Sequence, residues 1–363
     1  MHPGRPVILD RYPILREALP RFSILREPSP VGRLERLERE AGSKLPLWIK
    51  RDDLLGTDYG GNKPRKLEFL LGELLAKERR VVVTVGGLGS NHCLATTIYG
   101  RQAGLQVHAC LVDQPLTPEV EATLARMADE GATLHFARSP KQVPVRIAAI
   151  LGRESWGWPL RRPGLILPGG SVPLGTVGIV NAALELAEQV ADGEVPRPAA
   201  IFTALGSGGT HAGLAAGMQI LGWDVPVVGV LVSDHLRLDE ERVGGLARRT
   251  AALLRRADPS FPDGEPSPDR LIVREGYLGR GYGHPTEAAD RTVRLVRDVE
   301  GIPMDRTYTG KAMAAMLDAA REGRMEGPLL FWNTYNSHPT PLPDPRWRDG
   351  LPTALRRHLE MKA

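Results

Sequence analysis

The sequence predicts an α/β protein with mostly parallel sheets, and three observations carry that expectation. Short aliphatic runs alternate with amphipathic helical stretches through most of the chain. Their spacing is that of strand-helix-strand units, which implies right-handed crossovers and parallel pairing. At 363 residues the chain exceeds the usual size of one domain, so two domains are expected.

Residues 1–45 read as a proline-rich, basic arm ending in a first helix over 31–40, where Leu34 and Leu37 recur at helical spacing. LWIK at 47–50 is a short strand. The loop DDLLGTDYGGNKPR follows, delivered onto a helix over 66–78. Strands are expected at 81–85, 107–112, 133–137 and 165–168, separated by helices over 91–103, 118–130 and 143–151. A second series has a helix over 175–191, a strand at 199–205, a helix over 211–221, a strand at 225–232 and a helix over 238–256. The stretch DPSFPDGEPSPD at 258–269 reads as a surface loop, and the residues after Ser337 as a surface-running tail with a short terminal helix.

Composition narrows the function classes. The 47 basic residues are scattered among 43 acidic ones rather than gathered in a block, so the net charge of +4 does not point to nucleic acid. The pairs Arg248-Arg249 and Arg255-Arg256 fall in a helical pattern and read as a solvated face. Cys93 and Cys110 have neither metal-type spacing nor the numbers of a disulfide framework, which points to a reducing compartment. No stretch approaches the ~18 apolar residues of a membrane span, and the first residues lack the apolar core of a signal peptide. A cytoplasmic protein without membrane or nucleic-acid partners is expected.

Several segments carry chemistry in their residue types. In YGGNKPRK, Lys63 follows two glycines and neighbours Arg65 and Lys66, so burial and like charge would both lower its pKa and favour a nucleophilic amine. A solvated basic turn is the plainer reading. In VGGLGSNH, a glycine-rich turn between strand and helix presents free N–H groups to a carboxylate or phosphate, with Ser90 as a simple N-cap in the alternative.

LGSGGTHAG at 205–213 repeats that logic without the Gly-Lys-Ser/Thr ending of a nucleotide loop or the acidic partner of a dinucleotide fingerprint. A phosphate monoester suits it better than ATP or NAD. Tyr282 and Tyr308 stand beside glycines in loops, where a phenol can approach a ligand, although such tyrosines are more often packed aromatics. NTYNS at 333–337 follows a strand, where the loops of parallel sheets line sites. One reactive lysine, two anion loops and polar tyrosines together describe a cofactor phosphate plus a substrate carboxylate.

The segments GGNKPRKLEFL, VGGLGSNH, PGGSVPLGTVG, GSGGTHAGL and YTGKAM, in matching order from about residue 25 to 337, resemble the D-cysteine desulfhydrase and 1-aminocyclopropane-1-carboxylate deaminase family. The resemblance implies a fold-type-II pyridoxal phosphate enzyme, like the tryptophan synthase β subunit. It has two open, twisted, mostly parallel-sheet domains with pyridoxal 5'-phosphate in the interdomain cleft. Residues 1–75 and 185–363 would form the large domain, with 76–184 as a smaller inserted α/β domain. A homodimer acting on a small amino acid is expected on the same ground.

By the same resemblance Lys63, rather than Lys66, would hold the cofactor and Asn91 would bond its ring oxygen. Gly206, Ser207, Gly208, Gly209 and Thr210 would cup the phosphate. Ser90, with the backbone of Asn91 and His92, would meet the substrate carboxylate, and Tyr282 and Tyr308 would stand on the substrate face. The deaminases carry a glutamate after the second tyrosine, whereas this sequence has Thr309. A neutral hydroxyl from Thr309 or Thr334 facing the ring nitrogen leaves a weaker electron sink, which favours β-elimination over opening a cyclopropane. The expected activity is α,β-elimination on a β-substituted amino acid; β-replacement and cyclopropane deamination are the alternatives. NTYNS departs from the small glycine turn usual in the family, which leaves the substrate open.

Overall fold

The apolar runs pair as the period-two and period-3.6 patterns demand. A computed structural model describes residues 6–155, 162–262, 267–339 and 346–361. The chain divides into two units. One comprises Met1–Leu19, Leu25–Lys66 and Ser171–His338; the other comprises Pro20–Ile24, Leu67–Gly170 and Pro339–Ala363.

The first unit holds a six-stranded sheet of β1 (Val31–Arg33), β2 (Leu47–Lys50), β7 (Ala200–Leu205), β8 (Val227–Leu231), β9 (Leu271–Arg274) and β10 (Leu329–Trp332), in the order β1-β2-β10-β7-β8-β9. β1 pairs antiparallel with β2, and every other pairing is parallel. Its core gathers Leu34, Leu37, Ile49, Phe202, Val228, Met313 and Phe331, with helix Thr309–Glu322 laid against β7 and β8. The second unit holds a parallel sheet of β3 (Val81–Gly87), β4 (Gln106–Val112), β5 (Thr133–Ala137) and β6 (Gly164–Ile166), in the order β5-β4-β3-β6. Helix Val143–Ser155 covers it through Ile150, against Val83, Val85 and Cys110.

Two expectations change. The helix expected over 31–40 begins at Glu35, because Val31, Gly32 and Arg33 are drawn into pairing with Lys50, Ile49 and Trp48. The helix expected from 66 begins at Asn62, so Lys63 lies in its first turn rather than in the preceding loop. Pro64 permits this, since a first-turn residue has no intrahelical partner for an N–H.

Contacts within the chain divide it at 66/67 and 170/171. Helix Pro173–Ala191 packs against helix Gly209–Ile220 so closely that a Cβ on Gly213 would lie 2.5 Å from Ile179. Leu74, by contrast, fills the space above Gly164 at 2.2 Å from its would-be Cβ. Part of the loop at 258–269 and part of the tail lie outside the described residues. Among the described residues, no helix is long and apolar enough to cross a membrane, and no group of three or more His, Cys, Asp or Glu side chains could hold a metal ion.

A buried charge cluster anchors the helix that carries Lys63. Arg65 Nε and Nη2 donate to the Asp52 carboxylate at 2.9 and 2.7 Å, and Nη1 donates to Glu185 at 2.9 Å. Lys50 bonds Glu185 from the other side, and Trp332 Nε1 donates to Asp52 at 2.7 Å. Burial alone would raise the Glu185 pKa, but Arg65 and Lys50 together hold it down at about 2. Every charge in the cluster is therefore met by an opposite charge or by donors, the condition under which buried ions are tolerated.

Candidate active site

Helix Asn62–Ala76 opens on the lysine singled out by the sequence. Lys63 Nζ donates to Asn62 Oδ1 at 2.7 Å, and Asn62 Nδ2 donates to Thr210 Oγ1 at 2.6 Å, which ties the lysine to the glycine loop at 206–210. Burial pushes the Lys63 amine down to about 8, with Asp305 pulling it the other way. The repulsion between neighbouring cations falls instead on Lys66, which is driven well below its ordinary value by burial first and by Lys63 second.

The loop leaves β7 and enters helix Gly209–Ile220 through Gly208, whose φ of 87° is a left-handed conformation that favours glycine. Ser171 Oγ lies 2.8 Å from Ser207 Oγ, accepts the Gly209 N–H at 3.1 Å and takes a hydrogen bond from Lys66 Nζ at 3.3 Å. A Cβ on Gly209 would stand 2.6 Å from Ser171 Oγ and 2.7 Å from Lys66 Nζ. The loop thus has a glycine floor, two serine hydroxyls and a buried amine, set at a helix N-terminus where free N–H groups attract anions. His211, in the same motif, turns away: its ring is buried and Nε2 donates to Val227 O at 2.8 Å.

Tyr308 flanks the loop, with its ring 3.2 Å from the would-be Cβ of Gly206. Its hydroxyl lies 2.6 Å from that of Tyr282, and the two rings meet edge to face. Burial, reinforced by Tyr282, raises the Tyr308 pKa well above its ordinary value, so this phenol keeps its proton. Asp305 organises the start of helix Thr309–Glu322, accepting from the N–H groups of Thr307, Tyr308 and Thr309. Thr309 Oγ1 donates to Asp305 Oδ2 at 2.8 Å and accepts from Asp305 N at 3.0 Å. Gly61 lies against the Thr334 backbone, since its Cβ would stand 2.6 Å from Thr334 O.

Lys63, the glycines and hydroxyls of 206–210, Tyr282, Tyr308, Thr309 and Thr334 therefore belong to the first unit. Ser90, Asn91 and His92 belong to the second. There Ser90 caps helix Asn91–Gln102, accepting from Cys93 N at 3.2 Å, and the His92 ring lies 3.1 Å from Thr84 Oγ1. A Cβ on Gly86 would come within 2.3 Å of Ser90 Oγ, so the turn needs glycine there.

Asn62, Ser171 and Asp305 bond directly to these candidate residues and Lys66 bonds to Ser171, and the sequence alone does not single them out. Lys66 had a signal, since three residues after Lys63 it shares a helix face. Ser171 stands in the PGGS segment, and Asp305 precedes a helix start as capping residues do.

Residues 23–334 match the family described as pyridoxal-phosphate dependent enzyme. The chain belongs to that family. It is 34% identical over 326 residues to a D-cysteine desulfhydrase of Salmonella paratyphi C (strain RKS4594), covering 87% of this chain and 93% of the relative. A D-cysteine desulfhydrase of Salmonella newport (strain SL254) matches over the same span at 33%. Among solved structures, an ACC deaminase homologue superposes with a TM-score of 0.76 at 32% identity, covering 92% of this chain and 95% of that one. The serine racemase of Dictyostelium discoideum, at 16% identity and a TM-score of 0.59 over 86% of this chain and 93% of that one, shares the fold.

As a pyridoxal-phosphate dependent enzyme, this chain takes pyridoxal phosphate as its cofactor, and the residues present fit that group. Lys66 supplies the deciding observation: its amine is enclosed and neutral-leaning at the floor of the glycine loop. A phosphate there would restore its charge, while Lys63 offers a nucleophilic amine in the same turn of helix.

Proposed function

We propose that this enzyme catalyses α,β-elimination on a small β-substituted amino acid, the D-cysteine desulfhydrase type of reaction, which releases the leaving group and an aminoacrylate that water hydrolyses to pyruvate and ammonia. The observation that carries the reading is the Lys63 amine, lowered to about 8 and tied through Asn62 to Thr210 of the glycine loop. The Salmonella relatives, alike over most of both chains, support the reaction class.

Bound pyridoxal phosphate supplies an electron-withdrawing ring conjugated to the substrate's α-carbon. In this reading Lys63 anchors the cofactor and, once its amine is free, takes the α-proton as a general base. Tyr308 and Tyr282, sharing one short hydrogen bond, hand a proton to the departing β-substituent. Gly206, Ser207, Gly208, Gly209 and Thr210 would hold the phosphate with Lys66 and Ser171. Asn91 would bond the ring oxygen, Thr309 and Thr334 would serve the ring nitrogen, and Ser90 with the Asn91 and His92 backbone would bind the carboxylate. We further propose a cytoplasmic homodimer; the two buried free thiols suit a reducing compartment.

Purified enzyme is expected to show the cofactor's visible absorbance, to lose it in Lys63→Ala, and to release pyruvate and sulfide from D-cysteine. Formation of 2-oxobutyrate from 1-aminocyclopropane-1-carboxylate without pyruvate from any β-substituted alanine would overturn the elimination reading. A new amino acid formed in place of pyruvate when a thiol acceptor is added would identify β-replacement. Light scattering on the purified enzyme tests the dimer.

A further inference from the structure

Tyr335, Asn336, Ser337 and His338, which follow Thr334, play no part in the chemistry above, yet they are tied closely to the loop that ends at Lys63. The Gly60 N–H donates to Asn336 Oδ1 at 2.6 Å. Ser337 is bonded twice to Asp53, N–H to carbonyl at 3.0 Å and Oγ to Oδ2 at 2.6 Å. His338 Nε2 donates to Leu55 O at 3.0 Å, and its ring covers Gly60, with Cδ2 3.2 Å from the would-be Cβ.

The contact leaves no slack. A Cβ on Gly60 would lie 2.2 Å from Asp53 O, and one on Gly61 would lie 2.6 Å from both Thr334 O and Tyr335 O. Asp53 is itself fixed, fully buried with both carboxylate oxygens held by Arg51 at 2.8 Å. Asn336 Nδ2 in turn donates to His338 O at 3.2 Å, which closes the segment on itself.

We infer that Asn336 and Ser337 are positioning residues: they clamp the loop at 53–61 so that Lys63 enters the first turn of its helix at one fixed register. Only Gly61 and Asn62 separate the clamped Gly60 from Lys63, and Gly61, whose N–H donates to Asp52 O at 2.8 Å, holds a left-handed φ of 84° that favours glycine. The same clamp holds Tyr59, a buried phenol near enough to Tyr308 to help raise its pKa. Small misplacements of a reacting group cost rate more than binding, so the clamp should act on turnover.

This inference rests on Lys63 being the cofactor lysine, and the experiment separates the two. The visible band of the holoenzyme is titrated with pH, and kcat and KM are measured, in wild type, Asn336→Ala, Asn336→Asp and Ser337→Ala. Asn336→Ala is expected to lower kcat about tenfold with KM within about twofold, and to move the midpoint of the band's titration. Asn336→Asp, which keeps an oxygen for the Gly60 N–H, is expected to recover most of both.

Ser337→Ala, which keeps the backbone bond to Asp53, is expected to shift both quantities in the same direction by less, and it decides the matter if Asn336→Ala does not fold. A band that depends on Lys63 but titrates alike in all four proteins would overturn the clamp alone. So would a lower melting temperature in Asn336→Ala and Ser337→Ala with kcat and titration unchanged. A band that survives Lys63→Ala would overturn the cofactor-lysine reading and the clamp with it.

Discussion

Removing Glu185 tests whether the charge cluster under the Lys63 helix stabilises the protein as its geometry implies. In Glu185→Ala, Lys50 and Arg65 remain buried with their shared carboxylate gone. Arg65 keeps Asp52, whereas Lys50 is left bonded to the neutral oxygens of Ser29 and Gln189. The Glu185 pKa lies at about 2 against an ordinary 4.5. At about 1.4 kcal/mol per pKa unit, that difference amounts to about 3 kcal/mol at neutral pH.

Breaking a buried pair by deleting one partner costs about 3–5 kcal/mol, so the two routes to the magnitude agree. The sign follows from the depressed pKa: the contribution is present above pH 4.5 and is lost as pH falls toward 2. Urea unfolding of wild type and Glu185→Ala at pH 7 should differ by about 3 kcal/mol or more, and the difference should shrink on acidification. A loss below about 1 kcal/mol at pH 7, or a difference that grows in acid, would refute the reasoning.

Three further outcomes follow from the site. Gly209→Ala puts a Cβ 2.6 Å from Ser171 Oγ and 2.7 Å from Lys66 Nζ, and is expected to weaken pyridoxal phosphate binding by at least about tenfold in a fluorescence titration of apoenzyme. Asp305→Asn removes the charge that raises Lys63, so the rate at which apoenzyme forms its visible band with pyridoxal phosphate should rise with pH through a midpoint below that of wild type; a higher midpoint would count against it. His211 is held by burial at about 4 against an ordinary 6.5, so the unfolded chain binds a proton that the folded one refuses. Stability should fall as pH drops from about 6.5 to about 4, by about 3 kcal/mol from this residue; His211→Gln, which keeps a donor for Val227 O, should lose less over that range in urea titrations.

The fold was legible because its signals are local. VVVTV is β-branched throughout and VHACLV is mostly apolar, and they form β3 and β4 with the neighbours that parallel crossovers demand. What sequence missed was decided at longer range. Val31 to Arg33 carry a helical pattern, yet the open edge of β2 recruits them as a strand, because a paired backbone outweighs a weak propensity.

Lys63, Tyr308 and the loop at 206–210 can be singled out in the sequence because glycine near a reactive group is visible in one segment. Ser171 was not, since its meeting with Ser207 and Lys66 joins segments 36 and 105 residues away. Nor did the motif show that His211 is a core residue, because its partner, Val227 O, lies on β8, outside the motif.

Asp305 bears most on how the threonine at 309 should be understood. Taken as a residue type, Thr309 is a neutral neighbour for the pyridine nitrogen, and neutrality argues for a weak electron sink. In the folded chain its hydroxyl proton is committed to Asp305 Oδ2, and one of its lone pairs is taken by Asp305 N. What Thr309 can still offer a ligand is the remaining lone pair, an acceptor backed by a carboxylate. The same carboxylate offsets part of the burial that lowers Lys63. One acidic residue thus bears on the Lys63 amine, the Tyr308 phenol and the hydroxyl at the start of helix Thr309–Glu322. In the proposed reading, the strength of the sink depends on the pair Asp305 and Thr309 rather than on Thr309 alone.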